Sequence, residues 1–234
     1  MKIKALNEKI YLLSAQTQYE VAMAFMRFQE FYESPYKEIR GKYFTHEKYM
    51  DLYAKETGNF TYTSDWLGFN IPSHIYEESL ARFGLDTWIK ENELIDLVGQ
   101  MAHHYGSKKY YIIGACETDG ALHTSQHEIA HALWYLYPKY KKEQLENIGR
   151  LAARTRNKIS DSLLDGGYVA AVVPDETQAY LSTSPYLYLE EKVGFPKIPA
   201  RSLNRFTKTF SSLYEDLGLA QSIKEWQKES LENE

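Results

Sequence analysis

His127, Glu128 and His131 stand in the run Leu122-His-Thr-Ser-Gln-His-Glu-Ile-Ala-His-Ala-Leu-Trp134, and no other residues of the chain are better spaced for chemistry. On a helix, positions i and i+4 share a face one turn apart. Two imidazoles so placed grip a zinc ion while the Glu between them stands beside an open coordination position. Zinc in such a site activates water and the Glu accepts its proton, which is the chemistry of a hydrolase. About one chain in fifty of this composition matches the five-residue pattern by accident, so its surroundings decide its weight.

Ser125 followed by Glu128 reads as a capping box that starts a helix just ahead of His127. Ile129, Ala132, Leu133 and Leu136 then form an apolar stripe, and Pro138 marks the stop. His123, four residues before His127, would be a further possible ligand if the helix began early; the capping box instead leaves it in a loop near the site, facing a substrate carbonyl or solvent. A catalytic zinc takes a third protein ligand. Glu176 is the first candidate, because Pro174 ahead of an acidic turn opens a helix. Asp165, beside the paired glycines of Leu164-Asp-Gly-Gly-Tyr168, and Asp175 are the alternatives. Cys116, the only cysteine, reads as a small buried residue rather than a thiolate ligand.

His127-Glu128-x-x-His131 with a helical Glu176 downstream resembles the gluzincin type of zinc metallopeptidase, over about 60 residues. The resemblance implies a zincin-like fold with a small sheet beside the motif helix. It implies Zn²⁺ held by His127, His131 and Glu176, Glu128 as general base, and a peptide or protein substrate. His123, Tyr168 and Tyr180 are then the nearest groups for contacting substrate or stabilising the oxyanion. It also suggests that residues 110–115 form a strand bordering the cleft and pair with extended substrate; an interior strand is the alternative. Thermolysin-like members carry Asp four residues after the ligand Glu, where this chain has Tyr180. Two further readings stay open: a non-catalytic zinc-binding protein, and a helical binding protein with a fortuitous pentapeptide.

The 234 residues contain no Pro/Gly/Ser-rich linker, so a single domain is expected. Its parts are a mainly helical, aromatic-rich half over 1–106, a zinc-site core over 107–185, and C-terminal helices over 186–234. The fold class is α+β, mostly helical. A net charge of −5 gives no footprint for nucleic acid, and Lys139, Lys141 and Lys142, flanked by Glu143 and Glu146, read as a solvated helix face. The first ten residues are too charged for a secretion signal, and no apolar run approaches the ~18 residues of a membrane span. One cysteine gives no disulfide framework, so a cytoplasmic protein is expected.

Periodicity predicts helices over about 18–33, 44–56, 73–83, 91–105, 139–156 and 158–164, one opening at Pro174, another over 201–217, and a charged tail helix from 222. Strands are predicted at 109–115, ended by a turn over 117–120, and at 168–173. Asn59 to Pro72 alternates and then becomes an aromatic loop. Asp65, Trp66 and Asn70 could wall a cleft there, or Trp66 and Phe69 could plug the core. His103 and His104 lie about 100° apart on their helix and cannot share a metal as an i, i+4 pair does.

Overall fold

In a computed structural model, which describes residues 1–117, 121–184 and 186–231, the chain opens with two strands that the periodicity did not reveal. These are β1 (Lys2–Asn7) and β2 (Ile10–Ala15), and the Asn7 side chain closes their hairpin by accepting from the backbone N–H groups of Lys9 and Ile10. There follow α1 (Gln18–Glu33), α2 (His46–Thr57), α3 (Tyr62–Asp65), β3 (Gly68–Pro72), α4 (Ser73–Phe83), α5 (Ile89–Tyr105) and β4 (Tyr111–Cys116). The remainder is helical: α6 (Ala121–Leu136), α7 (Pro138–Gly149), α8 (Ala153–Asp165), α9 (Val173–Thr183), α10 (Tyr186–Glu191), α11 (Ala200–Asp216) and α12 (Leu219–Leu231). The fold is α+β, mostly helical, with one four-stranded sheet. Among the described residues no helix is long and apolar enough to cross a membrane.

The sheet runs β1-β2-β4-β3, with β2 and β4 parallel and the outer pairs antiparallel. Both faces are covered, which is why β2 and β4 are buried at every residue and read as near-continuous apolar runs, with Ser14 the polar exception in β2. Tyr11, Leu13, Ile112, Phe69 and Ile71 pack with Phe25 and Phe28 of α1 and Leu94 and Val98 of α5. On the other face Leu12, Ile113 and Ala115 meet Ile129 and Leu133 of α6, Phe210 of α11 and Ile223 of α12. Gly114 leaves room for the Phe25 ring, which any Cβ at that position would overlap. A third apolar cluster joins Leu163, Leu181, Leu189 and Phe206 of the C-terminal helices.

The helices at 18–33, 46–57, 73–83 and 89–105 follow the local signals. The Thr17 and Thr45 hydroxyls cap α1 and α2, and Gly58 and Gly106 end α2 and α5 in the left-handed conformation. Other expectations fail for tertiary reasons. The half over 1–106 contributes three of the four strands, and residues 68–72 form the edge strand β3 rather than a loop. The stretch 168–172 is turn and coil leading into α9, not a strand. The helix expected over 139–156 breaks at Arg150–Ala152, where the Arg156 guanidinium takes the freed carbonyls of Gly149 and Leu151. The turn predicted at 117–120 lies, apart from Glu117, outside the described residues.

The motif helix begins six residues before His127, not at Ser125, which is buried within α6. The first turn of α6 is held against β3, where Thr124 lies beside Gly68, and this packing carries the helix past the local capping signal. His123 is therefore on α6, exposed, one turn before His127.

Candidate metal centre

The i, i+4 geometry of α6 brings His127 and His131 together with their Nε2 atoms 3.2 Å apart. The N-terminal part of α9 packs against α6 and delivers Glu176 to the same point: Oε2 lies 3.5 Å from His127 Nε2, and Oε1 lies 3.5 Å from His131 Nε2. One donor atom from each residue lies within 4.8 Å of the others, each imidazole meeting a different oxygen of the carboxylate, a grouping close to the ~3.3 Å spacing of ligands around a tetrahedral zinc. Glu176 Oε2 is buried without a hydrogen-bond partner, as an oxygen reserved for a cation would be. The donor set of two imidazoles and a carboxylate suits zinc. Among the described residues no fourth His, Cys, Asp or Glu joins the group. Asp165, the alternative ligand, is exposed at the end of α8 and outside the cluster, and Cys116 is a buried strand residue whose Sγ meets the Gln16 carbonyl.

Asp175, the other alternative, takes a different role. Its Oδ1 lies 2.9 Å from His131 Nδ1 and also accepts from Gln178 Nε2 at 3.0 Å. The Tyr140 hydroxyl donates to Gln178 Oε1 at 2.7 Å, so the amide cannot flip, and the same Gln178 Nε2 reaches the Ala130 carbonyl of α6. With Nδ1 donating to Asp175, Nε2 is the nitrogen His131 turns towards Glu176 and His127. The carboxylate beside an imidazole of the group is thus Asp175, one residue before Glu176, and it meets the second His. His127 instead has the Tyr180 ring against it, 4.5 Å between centroids. Asp175→Asn is expected to weaken zinc binding about 10–100-fold, the usual effect of removing such a partner, measured by competition with a chromophoric chelator.

Glu128 is 5% exposed, and its Oε2 accepts from Asn70 Nδ2 at 2.9 Å. The Tyr111 hydroxyl donates to Asn70 Oδ1 at 2.6 Å, which forces the amide to present its N–H groups to Glu128. A Cβ at Gly68 would overlap the Glu128 carboxylate, so β3 can lie this close to the motif only with glycine there. Gly68→Ala is expected to keep zinc and lower turnover about 100-fold, the order that displacing a catalytic group by ~1 Å costs; kinetics with metal analysis on the same sample test this. Asn70 stands among the cleft residues as the sequence suggested, but it orients Glu128. Trp66 is half-buried at the cleft while Phe69 fills the core.

Four carboxyl groups converge here on two imidazoles. Burial pushes Glu128 up, against the pull of His127 and His131, and burial with the nearby Glu176 pushes Glu33 well above the usual carboxylate range. Burial also works to raise Glu176, but His131 and His127 outweigh it and hold it below its usual value. Burial would lower His131, yet Asp175 and Glu176 override it and raise it far above the ordinary imidazole value. Such a cluster is short of positive charge, which a divalent cation supplies.

The group faces a cleft of about 700 Å³ between α1, β3 and the α6, α8, α9 and α10 helices. Tyr168 and Tyr180 line it with their hydroxyls 3.0 Å apart, burial keeping both protonated far above neutrality, and His123 stands at its exposed side. β4 is interior and hydrogen-bonded on both sides, so residues 110–115 cannot add a substrate strand. The edge strand that lines the cleft is β3, through Gly68 and Asn70, and Gln29 of α1 accepts from its Asn70 N–H. No protein-family model, curated protein or solved structure matches this chain. The sequence offered no direct sign of Gly68, Tyr111, Gln178 or Tyr140, because each acts through a contact distant in the chain.

Proposed function

We propose that the chain is a zinc-dependent hydrolase of peptide bonds with a zincin-like arrangement of helix and sheet. The observation that carries this reading is the convergence of His127, His131 and Glu176, one donor atom from each within 4.8 Å of the others, open to a large cleft, with Glu128 held beside it. The absence of a fourth side-chain ligand among the described residues favours a catalytic site over a closed structural one, since a coordination position remains for water.

His127, His131 and Glu176 would hold the zinc, which when bound would lower the pKa of a water towards ~7 and polarise a substrate carbonyl. Glu128 accepts the water proton as oxygen attacks the carbonyl carbon, then passes it to the departing amine nitrogen. Asn70 keeps the carboxylate oriented during both transfers. Asp175 holds the His131 tautomer. Tyr180 and Tyr168 stand on the cleft wall with protonated hydroxyls hydrogen-bonded to each other, and with His123 they are the candidate donors to the oxyanion.

The test is elemental analysis of untagged protein followed by digestion of a peptide library. One zinc per chain with cleavage that a chelator abolishes supports the proposal. One zinc without cleavage points to a non-catalytic zinc protein. Lack of zinc even after reconstitution leaves a helical binding protein in which the pentapeptide is fortuitous.

A further inference from the structure

A second, narrower cavity of about 200 Å³ shares Gln29, Glu33, Tyr53, Trp66, Gly68 and Tyr168 with the cleft. Beyond them it is walled by the rings of Tyr36, Tyr49 and Phe69 and by two more carboxyl groups, Glu30 and Glu56. Among the described residues lining it there is no Lys, Arg or His. Glu33 Oε1 accepts from Gln29 Nε2, and Glu56 Oε2 from the Tyr36 hydroxyl. Glu30 is 5% exposed, and its Oε2 has no partner. Glu30 and these rings line a space larger than the ~150 Å³ that holds a benzene ring.

These carboxyls do not form a metal site: the only three-donor group among the described residues is His127, His131 and Glu176. Aromatic walls with acidic groups suit an organic cation, whose methylene stem lies between rings and whose charged head meets carboxylate and π-faces. On the peptide-hydrolase reading above, we infer that this cavity is a substrate subsite for a basic side chain, Lys or Arg, of the peptide lying in the cleft. Burial pushes Glu30 up to about 7, with the Ser34, Tyr49 and Tyr62 hydroxyls acting the other way, and an arriving cation restores its charge. A neutral side chain brings no counter-charge to Glu30, Glu33 and Glu56, and an acidic one adds like charge.

The test is calorimetric titration in the presence of zinc, on the Glu128→Gln protein so that no peptide turns over. The probes are acetylated, amidated alanine hexapeptides carrying one Lys at each position in turn, against the same set with norleucine. Binding at least about tenfold tighter for Lys in one register, or 1.4 kcal/mol, is expected. Adding Glu30→Gln should bring that pair to within about twofold. Glu56→Gln, at an exposed position, is the second variant and should erode the preference in the same direction if Glu30→Gln does not fold. Equal affinity for Lys and norleucine at every position, no binding of any peptide, or a preference that survives the carboxyl substitutions overturns the subsite. Wild-type digestion of the same peptides separates the two ideas. Lys-selective binding without cleavage sinks the hydrolase reading alone, and cleavage indifferent to Lys sinks the subsite alone.

Discussion

Glu128→Gln is expected to retain one zinc per chain and to lose about 10³-fold in kcat for peptide hydrolysis. The substitution keeps the side chain's shape, and its amide oxygen can still accept from Asn70 Nδ2, so α6 and the three donor atoms stay in place. What disappears is the ability to take a proton from water, and a positioned general base contributes typically 10²–10⁴-fold. The position beside Gly68 and Asn70 gives water-borne bases little room to substitute for it. Turnover should fall while metal content and melting temperature hold. Hydrolysis surviving at the wild-type rate in the Gln protein would show that the carboxylate is a bystander and that the proposed mechanism is wrong.

Glu176→Ala should abolish stoichiometric zinc, a larger loss than the about 10–100-fold expected when only the Asp175 partner is altered. Two imidazoles at 3.2 Å remain, but the third donor and its charge are gone, and α9 has no other residue in the group. Asp165→Ala, at an exposed position outside the cluster, is the matched control and should bind zinc as the wild type does. Zinc bound to native protein alone stabilises it by mass action, about 2.7 kcal/mol at a free concentration 100 times Kd. Wild type and Asp165→Ala should therefore gain melting temperature on zinc addition, and Glu176→Ala should not. Zinc retained by Glu176→Ala, or lost from Asp165→Ala, would overturn the ligand set.

The sequence alone determined what depends on neighbours along the chain. His127 and His131 share a face because four residues make about one helical turn, and Pro174 with its acidic turn starts α9 so that Glu176 falls on its first turn. The caps of α1 and α2 and the glycine stops of α2 and α5 were legible for the same reason. Tertiary structure decided everything that needs a partner far away. β2 is buried on both faces, so its apolar run carries no alternation to distinguish it, and β3 is held by pairing with β4 across some forty residues of intervening chain. The valines after Tyr168 have strand propensity but no strand to pair with, and they form a turn. Asp175 rather than residue 180 meets His131 because Gln178 and Tyr140 fix it against α6. Asn70, Gly68 and Tyr111 meet Glu128 only where β3 and β4 pass the motif helix, and the acidic side cavity exists only where α1 and α2 pack beside the cleft. Helix periodicity and caps are written in local dihedral preferences, whereas a site's protons, charges and pockets depend on which surfaces the packed core brings into contact.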